Sequence, residues 1–258
     1  MQNRVHRLTY FIDLLRELVG RDLKLRYKRS VLGIGWSLLN PILQLLVFGF
    51  VFRYLIPLKI PDYTVFLFSG IVVWSWFQAS LYSATGAIVD NPALIRQPGF
   101  PCGLLPVVVV ASNMINFLFA LLALLIGVWA TRHVPTAALA FLPIVICVQF
   151  LLTLSISYYL AMLHVPFRDT QYLLGIVLML GFYLVPVFYD AATIPVRFQA
   201  IYHLNPVVGI MDAYRTILLH GRVPSPFPLL ITTLASCLLL AVGWILFTRA
   251  SRTFIEEL

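Results

Sequence analysis

The chain has 258 residues, of which 61% are hydrophobic and 11% charged, and its mean hydropathy is +0.93. A soluble domain keeps roughly a quarter of its residues charged, so this composition identifies an integral membrane protein. The formal net charge of +8 does not indicate nucleic-acid binding, because the basic residues lie beside apolar segments and not in a patch on a soluble fold.

The first 30 residues are predicted to form an amphipathic helix at the cytoplasmic membrane interface. Apolar side chains recur at helical spacing, at Leu8, Phe11, Ile12, Leu15, Leu18, Val19 and Leu25. The segment ends in a basic block, which consists of Arg21, Lys24, Arg26, Lys28 and Arg29. A soluble helix packed on a partner is the alternative to one that lies in the interface.

Six apolar segments are predicted to cross the membrane within residues 31–258. They are 31–55, 65–82, 104–129, 137–163, 173–188 and 229–247. The first follows the basic block directly, and the fifth is shorter than the about 17–25 residues that a straight span needs. With both termini inside, 12 of the 18 Lys and Arg residues are cytoplasmic, eight of them before Ser30. We therefore expect an all-α, polytopic membrane protein with cytoplasmic termini.

The loop 86–103, between the second and third spans, is predicted to carry a short helix. Asn91 is placed to cap a helix that begins at Pro92, and Leu94 and Ile95 are expected to project from it. An exposed apolar helix of this kind suits docking into a partner's groove. An ordinary connecting loop is the alternative.

Residues 189–228 are too polar and too rich in proline to span lipid, because a broken backbone would leave donors and acceptors unpaired. We expect two short helices that enter the membrane from the external side, the second starting at Asn205-Pro206. A surface loop is the alternative.

The sequence contains no phosphate loop and no known metal-ligand or nucleophile motif. We therefore predict no catalytic residue, no metal and no cofactor bound by this chain. The span cores lack Asp, Glu, Lys and Arg, which disfavours an ion-coupled carrier. Their neutral polar side chains indicate either interhelical hydrogen bonds or a pathway for an uncharged polar substrate; they include Asn40, Gln44, Gln78, Asn113, Asn116 and Gln149.

Several motifs occur together in one order along nearly the whole chain. They are the block 21–33 followed by 36–41, the loop 91–96 ending at Phe100-Pro101, Phe167-Arg168-Asp169, the stretch 186–189, Asn205-Pro206 and Tyr214-Arg215. In this order they resemble the membrane subunit of ABC-2-type exporters, in the branch that exports polysaccharides and polyol phosphates.

The resemblance implies a permease subunit that exports a lipid-linked, O-antigen-like polysaccharide across the bacterial inner membrane. Its partners would be a second copy of the chain, two ATPase subunits that bind ATP and Mg²⁺, the undecaprenyl-linked polymer and membrane lipids. Export of teichoic acid or capsule is the alternative. A membrane enzyme that acts on lipid-linked sugars is a further alternative, of a different class.

The resemblance also implies roles for three groups of residues. ATPase coupling is expected at Asn91, Leu94, Ile95, Arg96, Phe100, Pro101, Phe167, Arg168 and Asp169. The basic block is expected to meet the lipid diphosphate, which its charge also favours. The candidates for lining a channel are Trp36, Asn40, Gln44, Phe48, Phe52, Tyr183 and Tyr189.

Overall fold

The computed structural model describes residues 2–28, 30–33, 35–55, 60–130 and 136–257. These residues form helices and no strand, so the predicted all-α fold is confirmed. The helices are α1 (Gln2–Tyr27), α2 (Gly35–Phe50), α3 (Tyr63–Thr85), α4 (Pro92–Ile95), α5 (Leu104–Ala130), α6 (Leu142–His164), α7 (Thr170–Leu184), α8 (Val196–His203), α9 (Pro206–Leu218), α10 (Pro226–Ala250) and α11 (Phe254–Glu257).

Six apolar helices coincide with the six predicted spans. Four are long and apolar enough to cross a bilayer: α3, α5, α10, and α6 with the 3₁₀ turn that precedes it. The other two, α2 and α7, have 16 and 15 residues. A π-helical turn at Val51–Leu55 extends α2.

The first span begins later than predicted, at Gly35 and not at residue 31. Residues 30–33 form a turn in which the Gly33 N–H donates to Ser30 Oγ at 3.1 Å. Gly33 has a φ of +52°, a left-handed conformation that glycine adopts without steric cost. The basic block and the first span are therefore separate helices, and Arg29 lies outside the described residues.

The fifth span also differs, because α7 ends at Leu184 and not at residue 188. Val185 precedes Pro186 and has an extended backbone, with φ −93° and ψ 146°. The proline ring disfavours helical geometry at the residue before it. Residues 185–188 consequently leave the helix and cross toward α3 and α9.

The core has two parts. The larger is centred on α3, which packs against α5, α6 and α9 and buries 16 of its 23 residues. The smaller joins the loop around α4 to α5, α6, α10 and α11. We call the end of the bundle that holds this smaller core the terminal face, because Phe11 and Phe254, close to the two termini, lie there.

The two helices predicted within 189–228 are present as α8 and α9. The Asn205 side chain caps α9 by accepting from the Val207 N–H at 3.0 Å. Nine of the 13 residues of α9 are buried, against α3, α6 and α10, so the surface-loop alternative is wrong. The depth of these helices in a bilayer stays a prediction.

Candidate functional site

The loop 86–103 lies on the terminal face and contains α4 as a single helical turn. Asn91 precedes Pro92 as predicted, but its side chain makes no capping hydrogen bond. Its amide nitrogen instead donates to Ala87 O at 3.1 Å, because the chain enters α4 from another helical turn whose carbonyl is within reach. The predicted capping interaction is therefore wrong.

Ile95 at the end of α4 turns inward. Ile95 is only 3% exposed and packs in the smaller core with Val109 and Phe254, while Leu94 is half-buried. The prediction that Ile95 projects from the helix is wrong, because burying such a side chain stabilises the fold by about 1.5–3 kcal/mol. Arg96 is exposed, and Phe100 and Pro101 are half-buried.

The second predicted coupling segment lies on the same face. Val165, at the end of α6, belongs to the same core as Ile95. Phe167, Arg168 and Asp169 follow it and are all exposed. The structure thus brings both predicted coupling segments to the terminal face.

Aromatic residues on α6, α10 and α11 hold this loop in place, and the sequence reasoning missed this role. The Tyr158 hydroxyl donates to Gly103 O at 2.8 Å, and its ring lies 5.2 Å from that of Phe247. The Phe254 ring lies 5.4 Å from Phe247 in turn. Gly103 has no side chain to displace Trp244, whose nearest ring atom would be 2.7 Å from an added Cβ. The available signal was the pair of aromatic residues, Trp244 and Phe247, near the end of α10.

The basic block joins the helical bundle through hydrogen bonds to α5. Arg26 Nη1 donates to Asn113 Oδ1 at 2.6 Å, and its Nη2 pairs with Asp22 at 3.2 Å. The Tyr27 hydroxyl donates to Asn116 Oδ1 at 2.9 Å. Burial raises the pKa of the Tyr27 phenol, so it remains a neutral donor. For Asn113 and Asn116 the predicted interhelical hydrogen bonding is confirmed, while Arg21, Lys24 and Lys28 are exposed.

Four of the seven channel-lining candidates meet in an aromatic cluster, which consists of Phe48, Phe52, Phe182, Tyr183, Phe188 and Tyr189. Phe188 stands at its centre, with ring centroids 5.2 Å from Phe52 and 6.2 Å from Phe48, nearly parallel to both. Tyr183 and Tyr189 meet Phe188 edge to face. The sequence reasoning missed Phe182 and left Phe188 without a role.

The other three candidates lie nearer the start of α2. Trp36, Asn40 and Gln44 precede Phe48 at intervals of four residues, a spacing that places them on one side of the helix. Trp36 and Asn40 line a cavity beside the end of α1. The structure therefore divides the candidates along one side of α2, between this cavity and the aromatic cluster. That they line a channel stays a prediction.

A buried arginine fixes the centre of the aromatic cluster. Arg215, on α9, is 6% exposed, and its Nη2 donates to Val187 O at 2.8 Å. Its guanidinium lies 3.5 Å from the centre of the Phe66 ring on α3. Arginine stays protonated at neutral pH, so this is a buried cation–π contact. Arg215 thus joins α9 to α3 and to the backbone beside Phe188. The sequence motif Tyr214-Arg215 did not reveal this role.

The fold and these surfaces define a multi-pass membrane protein of the transporter class. The chain belongs to the ABC-2 type transporter family, whose sequence profile matches residues 13–219, and the family resemblance seen in the motifs is confirmed. It is 34% identical over 256 residues to the O-antigen export system permease protein RfbA of Myxococcus xanthus, with 98% of each chain covered.

Two further relatives are more distant. A protein of the same name from Klebsiella pneumoniae is 28% identical over 254 residues, again with 98% of each chain covered. The polysialic acid transport protein KpsM of Escherichia coli is 24% identical over 242 residues, which cover 92% of this chain and 93% of that one.

Proposed function

We propose that this chain is the membrane permease subunit of an ATP-driven exporter of lipid-linked, O-antigen-like polysaccharide. The observation that carries the proposal is the similarity over 98% of the chain to proteins named as O-antigen export permeases. Identity to the polysialic acid transport protein is lower, at 24%. O-antigen is therefore favoured over capsule as the cargo.

In this proposal the aromatic cluster contributes to the wall of the export channel, and a second copy of the chain completes it. A sugar ring has an apolar C–H face, so it packs on aromatic rings, while its hydroxyl groups need polar partners or water. The side of α2 that runs from Trp36 to Phe52 supplies both kinds of surface. An undecaprenyl-linked polymer would move along this side.

The terminal face is proposed to receive two ATPase subunits, which bind ATP and Mg²⁺. Its exposed residues include Arg96, Phe167 and Arg168, and a groove of about 880 Å³ lies between Phe11, the loop 95–103 and Trp244. Closure of the ATPase would push on this groove and move α4 and α10 together. The basic block, farther along α1, would hold the diphosphate of the lipid carrier.

The proposed location is the bacterial inner membrane, with both termini in the cytoplasm. The support is the charge distribution, because this orientation leaves 12 of the 18 Lys and Arg residues inside. The ATPase would then meet the terminal face where ATP is available.

Transport by reconstituted proteoliposomes tests the function. The chain is incorporated together with its candidate ATPase, and export of a labelled lipid-linked polysaccharide is measured with and without ATP. We expect export only with ATP and with both proteins, and none when the phosphate-loop lysine of the ATPase is replaced by alanine. Equal export by the chain alone would contradict the proposal.

A further inference from the structure

A small cavity with several polar side chains in its wall lies where the end of α1 meets α2, α3 and α5. Its volume is about 340 Å³, which falls in the range of about 300–1,000 Å³ that is typical of small-molecule sites. Three of the six amide side chains named in the span cores line it, namely Asn40, Asn113 and Asn116. Amides from different helices converge on one cavity in a bundle that is otherwise strongly apolar.

The wall of this cavity offers more hydrogen-bond donors than the protein itself uses. The Asn113 and Asn116 oxygens already accept from Arg26 and Tyr27, which leaves the Asn116 amide nitrogen as a donor. The side chain of Asn40 has no partner among the described residues. Trp76 is 2% exposed, and its indole Nε1 is likewise unpartnered within the described part of the chain. Asn40 is exposed and Asn116 is half-buried, so both amide nitrogens are open to a ligand in the cavity, whereas the Trp76 Nε1 is shielded from it.

The charge inside the cavity favours a neutral ligand ring over a phosphate group. Arg26 supplies the positive charge, and Asp22 at 3.2 Å offsets part of it. Trp36 also lines the cavity, and it is 52% exposed, which leaves an indole face free to stack on a sugar. Arg21 and Lys24 on α1, and Lys28 just after it, are exposed and lie outside the cavity.

We propose that this cavity recognises the sugar ring next to the diphosphate of the lipid-linked substrate, while the basic residues outside it, Arg21, Lys24 and Lys28, hold the diphosphate. The inference rests on the proposed function and adds a recognition step to it. The hydroxyl or acetamido groups of the first sugar accept from Asn40 and Asn116, and its apolar face packs on Trp36. A carrier lipid that bears no sugar would then bind less tightly than one that bears the first sugar.

Binding to the full-length chain in lipid nanodiscs tests this step. The probes are a short-chain prenyl diphosphate that carries one N-acetylhexosamine and the same prenyl diphosphate without a sugar. We expect the sugar to lower the Kd of the wild-type chain about tenfold, as two or three modest hydrogen bonds would do. Ser75, on α3, also lines the cavity and offers its hydroxyl to a ligand. Asn40→Leu, and independently the milder Ser75→Ala, should reduce this gain to about threefold or less.

A matched control is Gln78→Leu, the same kind of amide-to-apolar change on α3 but outside the cavity. It should keep the full sugar-dependent gain. Equal Kd values for the two probes on the wild-type chain would overturn the inference, as would an unchanged gain in both cavity variants. If either of these results is obtained while ATP-driven export is observed, the proposed function stands and only the recognition step fails.

Discussion

The contact between Arg215 and the backbone beside Phe188 depends on a glycine. Gly70, on α3, lies so close that an added Cβ would be 2.6 Å from Val187 O and 2.9 Å from Arg215 Nη2. The nearest obstacle is backbone, which cannot rotate away as a side chain can. At this position glycine is required for close approach and not for an unusual φ.

Gly70→Ala should therefore destabilise the chain. Overpacking costs about 1–3 kcal/mol, and alanine returns only about 0.5–1 kcal/mol through its higher helix propensity. Gly175→Ala on α7 is the matched control, because an added Cβ there meets no atom within 4 Å. Thermal unfolding in detergent should show a lower Tm for Gly70→Ala and an equal or higher Tm for Gly175→Ala. Equal Tm values for the two variants would contradict this account.

Ile95, the last residue of α4, and Arg96, which follows it, should respond differently to substitution. Arg96→Ala removes an exposed charge, so Tm should stay unchanged while the amount of polymer exported per ATP hydrolysed falls. Ile95→Ala creates a cavity in the smaller core and should lower the free energy of unfolding by about 2–4 kcal/mol. Export per ATP hydrolysed is measured on the reconstituted complex, and Tm and the free energy of unfolding are measured on the purified chain. A stable, fully coupled Arg96→Ala variant would remove Arg96 from the coupling surface.

The C-terminal segment should also contribute to coupling, since it supports the loop that carries α4. Phe254 is 1% exposed and packs with Ile95 and Phe247. Phe254→Ala should loosen this loop and lower export per ATP hydrolysed more than it lowers ATP binding by the complex. Phe254→Leu keeps most of the apolar volume and should restore much of the coupling. If Phe254→Ala exports as efficiently as wild type, the segment is not part of the coupling path.

The sequence predicted elements better than contacts, for a physical reason. The positions of the six apolar helices follow from hydrophobic runs, and the start of α9 follows from Asn205-Pro206. Which way Ile95 points could not be deduced, because its burial depends on Phe254, more than 150 residues later in the chain. The burial of Arg215 likewise depends on acceptors from residues 66 and 187, which only the tertiary fold brings together.

At the scale of the whole molecule, the two short apolar helices, α2 and α7, indicate which side of the bundle faces a second copy. At 1.5 Å per residue, α2 without its π-helical extension is about 24 Å long and α7 about 22 Å, less than the roughly 30 Å hydrocarbon core of a bilayer. Of the 15 residues of α7, only Leu174 and Leu178 are buried. By contrast α10, with 25 residues, is long enough to face lipid along its whole length. We therefore expect α2 and α7 to face the second copy and α10 to face lipid.

Cysteine cross-linking in membranes tests this arrangement. In a variant whose three native cysteines are replaced, single cysteines are introduced at Val47 on α2, Leu180 on α7 and Leu238 on α10, which are 62%, 52% and 68% exposed. Because α2 and α7 meet through Phe48 and Phe182 at 5.4 Å, they present one joint surface to a partner. A short bifunctional maleimide should cross-link the α2 and α7 variants into dimers and leave the α10 variant monomeric. Dimers formed through α10 alone would place the contact between copies at α10 and remove the aromatic cluster from a shared channel.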